Sequence, residues 1–159
     1  MTRKLMISAK LNVPALFVFA TLLFGATTAS AQSGPFSFFA VNPCRVVDTR
    51  GFVSTNGGPI VPQSGQRDFA IRGNCGVPSD AAAVSLNVTI VNATTSSFLT
   101  LWPAGTARPT VSTINFSQTD PSLANGAIVA LGPAGSPDLS VFNCCGSVHV
   151  IIDITGYFK

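Results

Sequence analysis

The sequence has 159 residues, a formal net charge of +3 and only 9% charged residues, where globular proteins average about a quarter. Three of its nine basic residues lie within the first ten positions, and the other six balance six aspartates because glutamate is absent. The chain beyond that N-terminal segment is therefore close to neutral, which makes nucleic acids and anionic membrane surfaces poor partners.

Residues 1–31 have the organisation of a secretory signal peptide. Basic residues precede an apolar run at residues 13–24, and Ala29-Ser30-Ala31 then offers a small-residue cleavage site. The run is shorter than the roughly 20 residues that a membrane-spanning helix needs. We expect a mature chain that begins at Gln32 and does not insert into a membrane after cleavage. The protein is then secreted and extracellular, either free or held at the cell surface.

The mature chain predicts a single all-β domain. It is rich in Val, Thr, Ser, Asn, Gly and Pro, which favour strands and turns over helices. Turn signals such as Asn125-Gly126 separate the apolar or alternating runs. Nine short strands are predicted, at residues 36–41, 44–49, 67–71, 82–91, 98–102, 111–116, 127–131, 139–142 and 148–158. We expect an antiparallel, jelly-roll-like β-sandwich over residues 43–159, preceded by an N-terminal segment at 32–42.

Four cysteines in a secreted chain of this size indicate disulfides, for which the sequence allows three pairings. We favour a Cys44–Cys75 bridge. A bridge between the neighbours Cys144 and Cys145 would be strained, because adjacent Cα atoms are only about 3.8 Å apart. These two residues form that vicinal bridge, pair separately with Cys44 and Cys75, or stay reduced.

The start of the mature chain is strongly apolar. Phe36, Phe38, Phe39 and Val41 would create a sticky patch if they were left in water. They form either the first strand of their own sandwich or a strand donated to a neighbouring copy. Donation gives a head-to-tail contact that does not close and so builds a fibre. The near-neutral mature chain favours such association.

The stretch Pro43-Cys44-Arg45-Val46-Val47-Asp48-Thr49-Arg50 concentrates charge in a chain that otherwise avoids it. Strand alternation places Asp48 and Arg50 on one face and Arg45 on the other. Asp153 in the last strand can complete a network with one of the arginines, which makes the stretch a clamp between the first and last strands. The alternative is a small polar pocket in which Asp48, Arg50 and nearby asparagines hydrogen-bond a sugar or another polar ligand.

The sequence offers little for catalysis. It has one histidine, His149, and no Gly-x-Ser-x-Gly elbow, and no pair of carboxylates is singled out. No metal spacing is present, so we expect neither an enzyme nor a bound cofactor or metal. Asn92, in an Asn-x-Thr sequon at a predicted strand end, is a candidate glycosylation site.

Aromatic residues provide a candidate platform for a sugar ring. Trp102, Tyr157 and Phe98 have faces on which sugars stack, although their apolar strands are more typical of core. These residues support an extracellular polysaccharide as a partner.

The segments "VNPCRVVDTR", "GNCGVP" and "HVIIDITGYF" together resemble a β-rich domain of secreted bacterial proteins. The resemblance covers nearly all of the mature chain. In that family the domain is often repeated or appended to larger surface proteins, which implies a non-catalytic module. The family's two central cysteines correspond to Cys44 and Cys75, whereas Cys144-Cys145 lies outside the pattern.

These observations predict a non-catalytic structural module of the extracellular surface, which self-assembles into a fibre or layer through its N-terminal strand. The alternative is an extracellular polysaccharide-binding module.

Overall fold

The computed structural model describes residues 34–159, so the predicted signal peptide and the mature start at Gln32 lie outside the described residues. The described chain contains eight strands and no helix. The strands are β1 (Phe38–Asp48), β2 (Gly65–Phe69), β3 (Ala83–Val91), β4 (Ser97–Pro103), β5 (Ile114–Phe116), β6 (Ser122–Ala130), β7 (Leu139–Asn143) and β8 (His149–Phe158). Within this range no helix is long and apolar enough to cross a membrane.

The strands form two four-stranded sheets, in the orders β1-β8-β3-β6 and β2-β7-β4-β5. Every paired neighbour is antiparallel. Successive strands alternate between the sheets, except for β4 and β5, and the first and last strands are neighbours. This is the eight-stranded arrangement of a jelly roll. The predicted all-β antiparallel sandwich is confirmed.

Alternating hydrophobicity accounts for the core between the two sheets. In β3, Val84, Leu86, Val88 and Ile90 are buried, whereas the residues between them are half-buried and face outward. Each such side chain contributes about 1.5–3 kcal/mol when it leaves water. Partners from the other strands complete the core, including Val47, Phe69, Leu99, Leu101, Ile114, Val141, Val150, Ile152 and Ile154.

The strand count differs from the predicted nine because the first two predicted strands are one. β1 continues through Pro43, which cannot donate a ladder hydrogen bond. β1 lies at the sheet edge, where a missing donor is tolerated. The pairing with β8 is irregular between Ala40 and Cys44, which is the position of the gap between the two predicted strands.

The sequence prediction was wrong at Asn125-Gly126, which is not a turn. Both residues lie inside β6, opposite Val88 and Asn87 of β3. Neither residue has a positive φ, and the uninterrupted pairing with β3 overrides the local turn preference.

A disulfide joins Cys44 of β1 to Cys75 in the loop between β2 and β3, with the Cα atoms 5.6 Å apart. The favoured pairing is confirmed. It leaves Cys144 and Cys145 as free, half-buried thiols after β7, so neither the vicinal bridge nor separate bridges to the other two cysteines form.

Candidate functional site

The charged stretch of β1 meets the last strand on the outer face of the first sheet. Arg45 lies opposite Asp153 in the register. Its Nε and Nη2 donate to the two Asp153 carboxylate oxygens over 2.9 and 3.2 Å. This two-point contact joins β1 to β8, as the clamp hypothesis expects. Both side chains remain partly in water, 49% and 25% exposed, so the pair is not a buried one.

Asp48 is held mainly by its near neighbour Arg50. The Arg50 backbone N–H and Nε donate to Oδ1 over 3.1 and 2.9 Å, and Nη2 donates to Oδ2 over 2.7 Å. Hydrogen bonds from the Arg50 side chain lower the pKa of Asp48 from its ordinary value of 3.8 to about 2. The Asp48 carboxylate is therefore ionised and committed to this pair at neutral pH.

The prediction that Arg45 points away from Asp48 was wrong. Their charged groups approach to 3.8 Å, from Nη1 to Oδ2. The register with β8 shifts between Arg45 and Val47, and this bulge interrupts the alternation on which the prediction depended. The four charges, Arg45, Asp48, Arg50 and Asp153, consequently form one network, called here the outer-face network.

One cavity on this face lies away from Asp48 and Arg50. That cavity, of about 490 Å³, is lined by residues of β3, β6 and β8, including Ser85, Ile128 and Thr155, and by neither Asp48 nor Arg50.

His149 holds β8 to the end of β1. Its Nδ1 lies 3.1 Å from the Thr49 carbonyl oxygen and 3.2 Å from the Thr49 hydroxyl. The same hydroxyl accepts the Val150 backbone N–H over 2.8 Å. The histidine is half-buried, and these contacts give it a structural task between the strands that the outer-face network also joins.

A second ion pair, which the sequence did not suggest, lies in the interior. Arg72 follows β2 and donates to Asp138, which precedes β7, and the two side chains are only 14% and 9% exposed. Asp138 also accepts the backbone N–H groups of Ile71 and Arg72 over 2.6 and 2.8 Å. Arg72 donates further to the carbonyl oxygens of Ala81 and Gly132. The pair therefore connects the loop between β2 and β3 to the loop between β6 and β7.

The proposed aromatic platform is not one surface. Phe98 and Trp102 lie on β4 in the second sheet, whereas Tyr157 lies on β8 in the first. Trp102 is only 3% exposed, and its Nε1 donates to the Thr106 carbonyl oxygen over 3.1 Å. The loop between β4 and β5 folds back over this face, so no sugar can stack on the indole. Tyr157 stacks on Phe39 instead, with ring centroids 5.2 Å apart.

The same loop forms a cavity of about 450 Å³ with the outer face of the second sheet. Its lining combines Phe98 and Thr100 of β4 with loop and β5 residues, namely Arg108, Pro109, Thr110, Val111, Ser112 and Asn115. The Arg108 guanidinium carbon lies 3.5 Å from the centroid of the Phe142 ring. Sequence reasoning identified Phe98 alone in this group, because the other residues are assembled by a loop whose path the sequence does not show.

The N-terminal aromatic residues pair with the last strand of their own chain. Phe38 and Phe39 lie opposite Phe158 and Tyr157, and the Phe38 and Phe158 ring centroids are 5.1 Å apart. Phe36, Phe38 and Phe39 stay exposed, Phe38 by 51%, whereas Val41 packs against the core. The aromatic side chains of this N-terminal segment are thus partly exposed to water even when the segment is paired with β8.

Gly156 provides the space for this packing. A Cβ at this position would overlap the Phe38 ring and the Phe39 backbone carbonyl. The absence of a side chain at Gly156 therefore leaves the space that the Phe38 ring occupies, called here the Gly156 socket.

The remaining candidates are single residues near loops. Asn92 is exposed directly after β3 and keeps its candidacy for glycosylation. The neighbouring Cys145 thiol raises the pKa of Cys144. In residues 34–159 no three His, Cys, Asp or Glu side chains are grouped to hold a metal ion.

No protein-family model matches this sequence, and no curated protein matches it. The likeness to a domain of secreted bacterial proteins rests on the quoted motifs alone.

Proposed function

We propose that the protein is a non-catalytic structural module of the extracellular surface, which associates head to tail by exchanging the first part of β1. Residues 36–41 would leave β8 of their own chain and pair with β8 of the next one. Each subunit then has one donor segment and one acceptor edge, so the contact does not close and a fibre grows.

The division of β1 into two blocks is the observation that carries the proposal. Phe38–Ala40 pairs with Gly156–Phe158, and the regular pairing resumes only at Cys44. The intervening residues include Pro43, which lacks an N–H donor. The first block can consequently exchange without disturbing the second.

The second block is fastened independently. Its Cys44 is bridged to Cys75, and its Arg45 is bound to Asp153. Exchange of residues 36–41 therefore leaves the disulfide and the outer-face network intact. The contacts that opening breaks are the three strand pairs, the two backbone hydrogen bonds between Ser37 and Lys159, the partly exposed aromatic contacts and the packing of Val41 on the core.

An incoming segment would find the same contacts that its own chain leaves. The Gly156 socket accepts a Phe38 ring from either chain, and Tyr157 and Phe158 offer the same ring contacts. Exchange of identical elements is a low-cost route to association for this reason. The balanced charge of the mature chain adds little long-range repulsion.

Paired cysteines test whether the segment stays in its own chain. Ser37 and Lys159 exchange both backbone hydrogen bonds, so the next pair, Phe38 and Phe158, is a non-hydrogen-bonded pair with Cα atoms about 4.5 Å apart. That separation suits a disulfide. Phe38→Cys with Phe158→Cys, in a Cys144→Ser and Cys145→Ser background, should give a ladder of covalent oligomers on non-reducing gels.

A matched pair controls for random oxidation. Thr89→Cys with Ala124→Cys joins β3 to β6 inside the body of the domain and should give only monomers. The Phe38→Cys and Phe158→Cys chain is oxidised at the protein concentration used to test the parent chain for assembly. A product that is only monomeric, with the disulfide inside one chain, would refute the exchange.

A further inference from the structure

Arg108 differs from every other basic residue of the mature chain. Arg45, Arg50, Arg72 and Lys159 are paired with aspartates, and Arg67 donates to loop carbonyl oxygens. Among residues 34–159 Arg108 forms no hydrogen bond or ion pair. Its guanidinium lies over the Phe142 ring, and its positive charge partly offsets the rise in the pKa of the Cys144 thiol. Arg108 therefore lines the 450 Å³ cavity with its hydrogen-bond donors unused.

Stacking on Phe142 prepares this guanidinium for an anion. The guanidinium carbon lies 3.5 Å from the ring centroid, so Phe142 covers one side of the group, and its N–H donors, which bond to no described protein atom, are left for a ligand. A planar carboxylate can accept two of those donors at once, which is the strongest contact that an arginine makes with a carboxyl group.

The cavity is built by a firmly held loop. The Thr100 hydroxyl donates to the Val111 carbonyl oxygen over 2.6 Å, and the Thr113 hydroxyl accepts the Leu101 N–H over 3.0 Å. Asn125 of the first sheet donates to the Thr113 carbonyl oxygen over 2.7 Å. A ligand would therefore meet a preformed site, which reduces the ordering cost of binding.

The rest of the lining matches a polyol with an apolar face. Thr110, Ser112 and Asn115 are exposed and carry hydroxyl or amide groups, and the Asn115 amide donates to the Ser112 hydroxyl over 3.0 Å. Phe98 and Val111 add apolar surface beside them. The volume of about 450 Å³ lies within the roughly 300–1,000 Å³ of small-ligand sites.

We propose that this cavity binds a uronate unit of an acidic extracellular polysaccharide, a binding function beyond the structural role above. The sugar carboxylate would pair with Arg108, and its hydroxyls would bond to Ser112 and Asn115. The C–H face of the ring would pack on Phe98 and Val111. The site replaces the platform expected from Trp102 and Tyr157.

Calorimetric titration of the mature chain with a galacturonate hexamer tests the proposal. The methyl ester of the same oligomer is the matched ligand control, because it keeps the rings and removes the charges. We expect binding of the acid form, and a loss of affinity of about tenfold or more with the ester, since a charged hydrogen-bond pair is lost. The acid form should also bind more weakly at higher salt.

Arg108→Gln should cause a similar loss of affinity for the acid form, and near-ultraviolet circular dichroism should show an unchanged fold. Arg50→Gln removes an exposed arginine from the other sheet and should leave binding unchanged. Equal binding of acid and ester, an unaltered affinity of the Arg108 variant, or no heat with the hexamer at millimolar concentration would each overturn the proposal.

Discussion

Two arginine–aspartate sites in this molecule differ in what the sequence shows and in what they stabilise. In the outer-face network three of the four charges lie within six consecutive residues, 45–50, and the side chains of its Arg45–Asp153 pair are 49% and 25% exposed. The Arg72–Asp138 pair is almost buried, with partners 66 residues apart. The outer-face network is thus the site that is easy to recognise in the sequence, but its ion pairs are the ones that contact with water weakens.

Burial changes the consequence of losing one partner. Exposed ion pairs contribute about 0–1 kcal/mol, because water competes for both charges. A buried pair that loses one partner leaves an uncompensated charge, which costs about 3–5 kcal/mol. Asp138 also accepts two backbone N–H groups, so its removal would strand those donors as well.

The largest effect is therefore expected at Asp138. Asp138→Ala should lower the free energy of unfolding by about 3–5 kcal/mol, measured by urea denaturation. Asp153→Ala is the matched change in the outer-face network and should cost about 1 kcal/mol or less. Equal losses for the two variants would show that burial does not separate the sites.

A smaller effect is expected at Asp48. Asp48→Asn removes the charge that Arg50 binds, and we expect a loss of about 1 kcal/mol because the Arg50 side chain is 43% exposed. The same denaturation measurement applies. A loss near that of Asp138→Ala would mean that Arg50 is stranded in a buried site, contrary to the structure.

The acid dependence of stability isolates the Asp48 carboxylate further. Its pKa in the folded chain is about 2, below the ordinary value of 3.8, so the contribution of Asp48 is complete above pH 4. It should be lost as the pH falls from about 4 to about 2. After screening by water we expect somewhat under 1 kcal/mol. Denaturation curves of the parent and Asp48→Asn should converge over this interval, and parallel curves would contradict the assignment.

The smallest effect concerns salt. Arg45→Gln should cost about 0.5 kcal/mol at low ionic strength, and most of this difference should vanish in 1 M NaCl, where the Debye length is about 3 Å. Arg72→Gln, in the buried pair, should keep nearly its whole penalty at both salt concentrations. If the loss of stability caused by Arg45→Gln were the same at both salt concentrations, the Arg45–Asp153 contact would be less accessible to solvent than the exposure of Arg45 implies.

Much of the fold follows from local pattern. The alternation of Val84, Leu86, Val88 and Ile90 directly predicts a strand with one buried face, and the structure has it. Local sequence pattern predicts the wrong structure where the pairing with neighbouring strands determines the conformation. Pro43 continues a strand because β1 lies at an edge, and Asn125-Gly126 continues another because β3 pairs along its whole length.

The candidate sites were harder to predict because they are assembled by tertiary contacts. The bulge beside Arg45 depends on pairing with β8, and no local feature of the sequence reveals it. Arg72 and Asp138 are 66 residues apart and meet only when the loop between β2 and β3 packs against the loop between β6 and β7. The Arg108 cavity exists because a loop folds back over β4, which also buries Trp102.

In the proposed fibre, residues 36–41 link one subunit to the next. This link can be tested by negative-stain electron microscopy of the chain from Gln32 onward, beside a chain that lacks residues 32–41. Thermal unfolding must show that the shortened chain stays folded, and Gly156→Ala, which blocks the Phe38 socket, gives a full-length control. Fibres from the parent and single subunits from both variants are the result that strand exchange predicts. Single subunits from the parent, or fibres from all three chains, would contradict it.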